Sequence, residues 1–205
     1  MATNPLIDRV MDQIRVKMPG ALDGVTQMEL WNTLDDFLVR TNVWTGETEV
    51  KLKVGKLEAD LDSPTAGASI WRLMTVKNED GTNYPIKAWI STPGTITFAS
   101  GVSEPKTIVA TVALTVGDPG KRQVYPDVPD WIWGDYYDVI IDGTIGRLFG
   151  HPAKPYSNPQ MALFHLKQYS AGCDQAKWMV NRGRRMEGQR WMFPQSYAGR
   201  LLRRP

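Results

Sequence analysis

Residues 158–180, NPQMALFHLKQYSAGCDQAKWMV, decide the fold of the C-terminal half of the chain. Asn158 followed by Pro159 is typical of a helix start, because asparagine caps free backbone N–H groups and proline lacks the N–H that a first turn leaves unpaired. Apolar or small residues then recur at helical spacing, at positions 162, 166, 169, 173, 176 and 180. The stretch therefore predicts one long helix with a single buried face.

The residues just before this stretch predict another helix. Pro129 is a suitable first helical residue, and Gly150 with Pro152 marks an end. The positions between them share one broad apolar face at helical spacing: Ile132, Tyr136, Val139, Ile140, Gly143 and Leu148. This helix and the long helix that follows it are thus expected to pack together in an antiparallel arrangement.

The first 44 residues predict an αα-hairpin. Its first helix opens at Asn4-Pro5, repeats an apolar residue every four positions and stops at Pro19-Gly20. The motif Thr26-Gln27-Met28-Glu29 is a capping box, which predicts that the second helix starts there and runs to about Thr41.

From Trp44 onward the apolar period changes from helical spacing to two, which indicates β-strands. Strand candidates lie around 50–54 and at 69–77, 84–92, 95–99 and 107–116. The predicted fold class is α+β, with a small antiparallel β domain, expected to be a sandwich, inserted into an antiparallel helical body of four main helices. The predicted boundaries are 1–44 and 127–182 for the helical body, 45–126 for the β domain, and 183–205 for an extended basic and aromatic C-terminal arm.

Composition limits the possible classes of protein. The chain has 205 residues, 42% of them hydrophobic and 22% charged, which is typical of a globular protein. It contains no apolar run long enough for a membrane span and one cysteine, so a soluble protein without membrane contact or disulfides is expected. The N-terminus lacks the apolar segment of a signal peptide, so secretion is not expected.

The charge is distributed unevenly. Residues 180–205 contain seven arginines and one glutamate, a net charge of +6, whereas the remainder has 17 basic and 21 acidic residues, a net charge of −4. A mildly acidic body therefore carries a basic tail, in which arginines alternate with Trp191, Phe193 and Tyr197.

The sequence offers few residues for catalysis. There is no phosphate-binding glycine loop, and one cysteine with two histidines is too few for a structural zinc site. His165 has no acid nearby in sequence, so we interpret it as a packing or hydrogen-bonding residue, and we assign His151 to a helix end. No catalytic, cofactor or metal site is expected, although an enzyme using His165 and a distant aspartate remains an alternative.

Carboxylates in pairs and stripes have two interpretations. Asp35 and Asp36 are adjacent on a helix and do not face each other, so a solvated surface is expected. Asp135, Asp138 and Asp142 are spaced i, i+3 and i+7, which would place them on one stripe of a helix. That stripe is either solvated or a surface for the basic residues of a neighbouring subunit.

Glycines and aromatic residues also have open interpretations. Gly143 and Gly146 destabilise a helix and indicate close approach of another backbone, either from a neighbouring subunit or from within the helical body. Together with the three aspartates they form a candidate subunit-interface helix. In the β domain, Trp71, Tyr84, Trp89 and Phe98 are predicted to lie in the core, and a stacking platform for carbohydrate or nucleic acid is the alternative.

The segment 128–183 resembles a known protein family. It combines an apolar-Pro lead-in, an aromatic-rich helix closing on Gly143-Thr144-Ile145-Gly146-Arg147-Leu148, a Gly-x-Pro-x-Lys-Pro-Tyr bend at 150–156, and a long helix opened by Asn-Pro. These features are similar to those of the head-to-tail adaptor, or connector, proteins of tailed bacteriophages, and most of all to the adaptors of short-tailed phages.

This resemblance implies a non-enzymatic virion protein of the neck, assembled in the host cytoplasm. Adaptors of this kind form a ring, normally of twelve copies, that binds beneath the portal protein after DNA packaging. They offer their lower face to a tail protein of the nozzle, tubular or tail-terminator type, and genomic DNA passes through the channel without sequence-specific binding. Carried over to this sequence, the portal-docking arm comprises Arg184, Arg185, Arg190, Trp191, Phe193, Pro194, Tyr197, Arg200, Arg203 and Arg204.

A different function follows from the charge alone. Arginines that neutralise phosphates would make the tail a nucleic-acid-binding arm, and aromatic side chains can stack on the bases of single strands. The dense alternation of arginine with Trp191, Phe193 and Tyr197 favours a protein surface instead. Nucleic-acid binding therefore stays as the alternative hypothesis.

Overall fold

A computed structural model describes residues 5–117 and 127–186, the last four as backbone only. The helices are α1 (Pro5–Lys17), α2 (Asp23–Thr41), α3 (Asp130–Asp135), α4 (Tyr137–Phe149) and α5 (Pro159–Met186). The strands are β1 (Thr45–Leu52), β2 (Glu58–Asp60), β3 (Ser69–Asn78), β4 (Ala88–Thr92), β5 (Thr95–Phe98) and β6 (Lys106–Thr115). The predicted α+β class, with antiparallel sheets between two groups of helices, is confirmed.

Helix α2 occupies the centre of the helical body. It contacts α1, α4, α5 and strand β6, and its apolar side chains, among them Leu30, Leu34 and Phe37, are completely buried. Helices α4 and α5 pack antiparallel, since Gly146 lies against Leu166 whereas Val139 lies against Gly172. The N-terminal and C-terminal groups of helices thus form one core, as the amphipathic patterns predicted.

Helix α2 begins earlier than its sequence motif indicated. Its first helical residue is Asp23, and the capping position is Leu22, whose side chain makes no capping hydrogen bond. Thr26 and Glu29 are buried inside the helix, so the predicted capping box is wrong. The apolar pattern of α2 already includes Val25, which precedes the motif. Packing of this whole apolar face outweighs the local capping preference of the motif.

The helix expected after Pro129 is divided in two, so the body has five helices rather than four main ones. Tyr136 ends α3 with φ −115° and ψ 18°, outside the helical region, and α4 starts at the next residue. The Tyr136 ring lies 4.9 Å from the Phe37 ring and 6.4 Å from the Trp131 ring, measured between centroids. These aromatic contacts accompany the break, which apolar spacing alone does not indicate.

The β domain consists of two three-stranded antiparallel sheets. One has the strand order β1-β6-β3, with Thr45 opposite Ala113 and Leu52 opposite Lys106, and the other has the order β2-β5-β4. The short strand β2 was not predicted, and β4 begins four residues later than the predicted strand. Buried side chains of both sheets belong to one continuous core with the helices.

Two polar contacts attach the β domain to the helical body. The Thr115 hydroxyl donates a hydrogen bond to the Asp35 carboxylate, so Asp35 is not a purely solvated residue as expected. The Trp71 indole N–H donates to the Asn42 side chain at 3.1 Å, where Asn42 ends α2 in the left-handed conformation. Both contacts join α2 or its C-terminal cap to a strand of the sheet β1-β6-β3.

The aromatic residues of the β domain are divided between the core and the surface. Phe98 is buried and packs edge-on against the half-buried ring of Tyr84, with centroids 6.0 Å apart. Trp71 and Trp89 each expose nearly half of their surface, so the prediction that they lie in the core is wrong. Alternation along a strand identifies one face, but it does not reveal whether that face is covered.

Candidate subunit interface

The inner side of α5 is a narrow seam of small and polar-tipped residues. Ala162, Tyr169, Cys173 and Ala176 are buried along it, with spacings of seven, four and three residues. The short side chains allow α5 to lie close to α2 and α4. The seam was predicted from residues 158–180, although Leu166 keeps more than a third of its surface exposed at the margin.

Close helix packing explains the glycines of α4. A Cβ atom added at Gly143 would lie 2.5 Å from Thr33 Cγ2 and 2.7 Å from Tyr169 Cδ2, and one added at Gly146 would lie 2.9 Å from Leu166 Cγ. Both glycines are buried against helices of the same chain. Their assignment to a subunit interface is therefore wrong, and crowding within the helical body is the reason for them.

The three aspartates of the same candidate interface do not form a stripe. Asp135 ends α3 and Asp138 lies in the first turn of α4, both exposed, and the break at Tyr136 interrupts the helical spacing between them. Asp142 is half-buried, and its Oδ1 lies 2.9 Å from Nδ1 of His165 on α5. The predicted stripe is thus broken: Asp135 lies on a different helix from Asp138 and Asp142, and Asp142 is paired with His165.

Both histidines connect helices through contacts with carboxylates. The ring of His165 stacks on Phe149, with centroids 5.9 Å apart, while the ring nitrogen contacts Asp142. His151 lies after α4, and its Nε2 is 3.0 Å from Oε1 of Glu29 on α2. The sequence missed both partners because Asp142 and Glu29 are distant along the chain. In each pair the partner is a carboxylate from another helix, Glu29 of α2 or Asp142 of α4.

Asp36 is the centre of a partly buried polar cluster that the sequence interpretation also missed. Its carboxylate accepts a hydrogen bond from the Tyr169 hydroxyl at 2.8 Å, pairs with Nε of Arg40 at 3.1 Å, and lies 3.6 Å from Nη2 of Arg147. Burial raises the pKa of the Tyr169 phenol, with the nearby Cys173 and Asp36 adding to the shift. Burial likewise raises the pKa of the Cys173 thiol. Both groups therefore stay protonated and act in packing.

The outer side of α5 contrasts with this polar, well-packed interior. Leu163, Phe164 and Trp178 expose 63%, 53% and 56% of their surfaces, and Met161 and Met179 are also exposed. Phe164, Ala171 and Trp178 are separated by seven residues each, which places them on one line along the helix opposite the buried seam. We call the surface formed by Met161, Leu163, Phe164, Ala171, Trp178 and Met179 the outer face of α5.

A basic residue already covers one end of this face. The Arg182 guanidinium lies 4.9 Å from the centre of the Trp178 ring, in the geometry of a cation–π contact. The contact leaves the rest of the indole open, since Trp178 remains more than half exposed. The outer face of α5 consequently has exposed apolar side chains towards its two ends, with exposed polar residues such as Lys167, Gln168 and Gln175 between them, and it is directed away from the buried seam.

The predicted C-terminal arm starts later than expected. Helix α5 continues through residues 183–186, so Arg184 and Arg185 belong to this helix and not to an extended segment. The other residues assigned to portal docking lie outside the described residues: Arg190, Trp191, Phe193, Pro194, Tyr197, Arg200, Arg203 and Arg204. The chain therefore passes from the outer face of α5 into the arm through one uninterrupted helix.

The described residues offer few other candidate sites for metal or ligand binding. Within residues 5–117 and 127–186 there is no group of three or more histidine, cysteine or acidic side chains placed to hold a metal ion. A shallow polar depression lies between β1 and β2, with Lys51, Lys53, Glu58 and Asp60 around it. In the same part of the chain, every helix is too short or too polar to cross a membrane.

The chain matches no known protein-family model, and no curated protein resembles it significantly.

Proposed function

We propose that the protein is a head-to-tail adaptor of a tailed bacteriophage. In this function it is a non-enzymatic ring subunit that binds the portal protein on one side and a tail protein on the other, and it leaves a channel through which DNA passes. The observation that carries the proposal is the outer face of α5, whose large apolar side chains are exposed in the described part of the chain and are followed in the sequence by a basic and aromatic segment.

Apolar surface of this kind supports assembly. Monomeric proteins rarely expose a large contiguous apolar patch, and patches that they do expose commonly bind other proteins. Six of the large apolar side chains exposed in the described residues belong to α5 alone: Met161, Leu163, Phe164, Leu166, Trp178 and Met179. Such a concentration on one helix favours a protein partner over isolated surface residues.

The arm has the composition of a protein-binding segment. Arg190, Trp191 and Tyr197 are examples of the residue types that dominate binding energy at interfaces, because they combine a large contact area with hydrogen-bonding groups. One arm must lose much conformational entropy on binding, but many arms on one ring act at high effective concentration. We therefore expect rings to bind the portal much more tightly than monomers do.

The arm can be tested with a truncation placed by the structure. A stop codon after Met186 removes residues 187–205 and leaves α5 complete, so the outer face stays intact. Electron microscopy should show rings of both the full-length and the truncated protein, while only the full-length ring binds the portal of its phage. A full-length variant with Trp191→Ala, Phe193→Ala and Tyr197→Ala separates aromatic anchoring from the mere presence of a tail. Equal portal binding by all three proteins would contradict the docking role.

The same proteins test nucleic-acid binding. Seven arginines that each contact a phosphate on duplex DNA give a slope of roughly −6 for log K against log salt concentration. Truncation after Met186 removes four of them, Arg190, Arg200, Arg203 and Arg204, and the slope should then fall to roughly −3. DNA binding with this behaviour, in a protein that forms no rings, would favour the alternative function.

A further inference from the structure

The sheet β2-β5-β4 carries an exposed indole ring on a polar surface. Ile96 and Phe98 of β5 are buried, and side chains alternate between the two faces of a strand, so Thr95 and Thr97 lie on the opposite face. Trp89 of β4 lies opposite Thr97 and exposes 48% of its surface. We call this side of the sheet the outer sheet face, and its residues are Glu58, Asp60, Trp89, Ser91, Thr95 and Thr97.

The strand register arranges this face in rows. Glu58 of β2 lies opposite Thr97 of β5, and Thr97 lies opposite Trp89 of β4. Asp60 and Thr95 form a second pair beside this row. Neighbouring strands are about 4.8 Å apart, so the row from Glu58 to Trp89 spans about 10 Å. One small ligand can therefore contact the indole, a hydroxyl and a carboxylate together.

A β-bulge adds a second hydroxyl to the row. The pairing of β4 with β5 shifts between Ile90 and Thr92, which leaves Ser91 as the extra residue. Bulges change the direction of a side chain, and here the Ser91 hydroxyl accepts a hydrogen bond from the Thr97 hydroxyl at 2.8 Å. Both hydroxyls consequently belong to the same face as Trp89.

The outer sheet face continues into the depression between β1 and β2. This depression has a volume of about 210 Å³, and Glu58, Asp60 and Thr95 of the outer sheet face line it together with Lys51 and Lys53. Ammonium groups donate hydrogen bonds, carboxylates accept them, and a hydroxyl does both. The depression thus offers donors and acceptors to a ligand that already contacts the neighbouring rows.

The charges around this surface balance. Residues 49–62 together with position 87 contain four lysines and four acidic residues, whereas residues 88–98 contain no charged side chain. The lysines are at positions 51, 53, 56 and 87, and the acidic residues are at 49, 58, 60 and 62. Nucleic acids and other polyanions bind to surfaces with an excess of positive charge. The balance favours an uncharged ligand with many hydrogen-bonding groups.

We infer that the outer sheet face binds a neutral oligosaccharide. A pyranose ring has an apolar C–H face and hydroxyl groups around its rim, so a site for it combines a flat apolar ring with nearby donors and acceptors. In this site one sugar unit stacks on Trp89 and forms hydrogen bonds with Ser91 and Thr97. The next units extend over Glu58 into the depression. The site is separate from α5 and the C-terminal arm, on which the proposed function rests.

Sugar binding can be tested with the full-length protein. A glycan microarray identifies the class of glycan, and isothermal titration calorimetry with cellohexaose, maltohexaose and chitohexaose gives dissociation constants. We expect the wild type to bind neutral glycans and Trp89→Ala to raise the dissociation constant by about 10-fold or more. Thr97→Val, which removes one hydroxyl, should raise it by about 2- to 10-fold. Trp89→Phe should restore part of the affinity, because it keeps an aromatic ring.

The matched control is Trp131→Ala in α3. Trp131 exposes 45% of its surface, close to the value for Trp89, but it lies outside the outer sheet face, so this variant should bind sugars like the wild type. Circular dichroism and urea midpoints show whether each variant is folded. A wild type that binds no neutral glycan, or equal binding by Trp89→Ala, would overturn the inference.

A thymidine oligonucleotide tests single-stranded nucleic acid as the ligand of the same indole. Tighter binding to this oligonucleotide than to any glycan, lost in Trp89→Ala, would also overturn the inference. Portal binding by Trp89→Ala should equal that of the wild type, so the proposed function and the sugar site succeed or fail independently.

Discussion

Helices α2 and α5 both carry abundant apolar residues, yet they use them differently. Helix α2 has 19 residues, nine of them buried, and it is surrounded by α1, α4, α5 and β6. Helix α5 is longer, with 28 residues, but only Ala162, Tyr169, Cys173 and Ala176 are buried among its described side chains. Its largest apolar side chains, Phe164 and Trp178, point away from the core.

The difference separates residues that fold the chain from residues available for assembly. Burial of an apolar side chain lowers its free energy in water by an amount roughly proportional to the buried area, whichever surface covers it. In α2 that cover comes from the same chain. In α5, Phe164 and Trp178 each keep more than half of their surface exposed within the described part of the chain, so these side chains remain available for further contacts.

The largest expected effect comes from truncating one phenylalanine on each helix. Phe37→Ala in α2 should lower the free energy of unfolding by about 3–5 kcal/mol, because a completely buried ring is lost and a cavity remains. Phe164→Ala in α5 should change it by no more than about 0.5 kcal/mol. Urea denaturation, followed by tryptophan fluorescence at concentrations where the protein is monomeric, measures both. Similar losses in the two variants would remove the distinction between the helices.

A smaller effect is expected where α2 and α5 meet α4. Gly143→Ala places a methyl group against Thr33 and Tyr169, and we expect a loss of about 1–3 kcal/mol from overpacking. Gly134→Ala in α3 is the matched control, because no atom lies within 4 Å of the added Cβ. Alanine favours a helix over glycine, so the control should gain up to about 1 kcal/mol. If Gly143→Ala were stabilising as well, close packing would not be the reason for this glycine.

The smallest effect concerns the pH dependence of the Tyr169 hydroxyl between α5 and Asp36. Its pKa is raised in the folded chain, so the phenol ionises first in the unfolded state and stability falls as the pH rises above the unfolded value of about 10. Below that value the contribution is fully present. At pH 10.5 the loss from this group should be slightly under 1 kcal/mol.

Tyr169→Phe isolates this contribution from those of the other tyrosines. The variant should be less stable at neutral pH, because Asp36 loses a hydrogen bond, but its stability should fall less steeply between pH 9 and pH 10.5. Urea midpoints at several pH values give the two slopes. Identical slopes for wild type and variant would show that Tyr169 does not resist ionisation in the fold.

The sequence patterns that the structure confirms are those in which apolar residues recur at a regular period. The apolar spacing in 5–17 and 158–180 predicted α1 and α5, and alternation predicted most strands, because both signals arise from the geometry of a single element. The errors lie where two elements compete. Thr26 and Glu29 have the form of a cap, but packing places them inside α2, and Tyr136 interrupts a helix whose apolar spacing continues.

The candidate interface was predicted in kind but not in place. Gly143 and Gly146 did indicate close backbone approach, and nothing in one sequence says whether the approaching helix belongs to the same chain. Asp142 could be assigned a solvated or an intersubunit role until His165 was found beside it. The outer face of α5 was not predicted, because the helical spacing identified only the buried face at positions 162, 166, 169, 173, 176 and 180.

The sequence by itself determined the α+β class, the insertion of a β domain between two groups of helices, the long C-terminal helix and the basic, aromatic end of the chain. Those features depend on local spacing and composition. Only the tertiary structure decided which apolar residues are covered and which carboxylates have partners. Burial and ion pairing depend on elements that are distant in sequence, and the physical effect of a side chain is set by what lies against it.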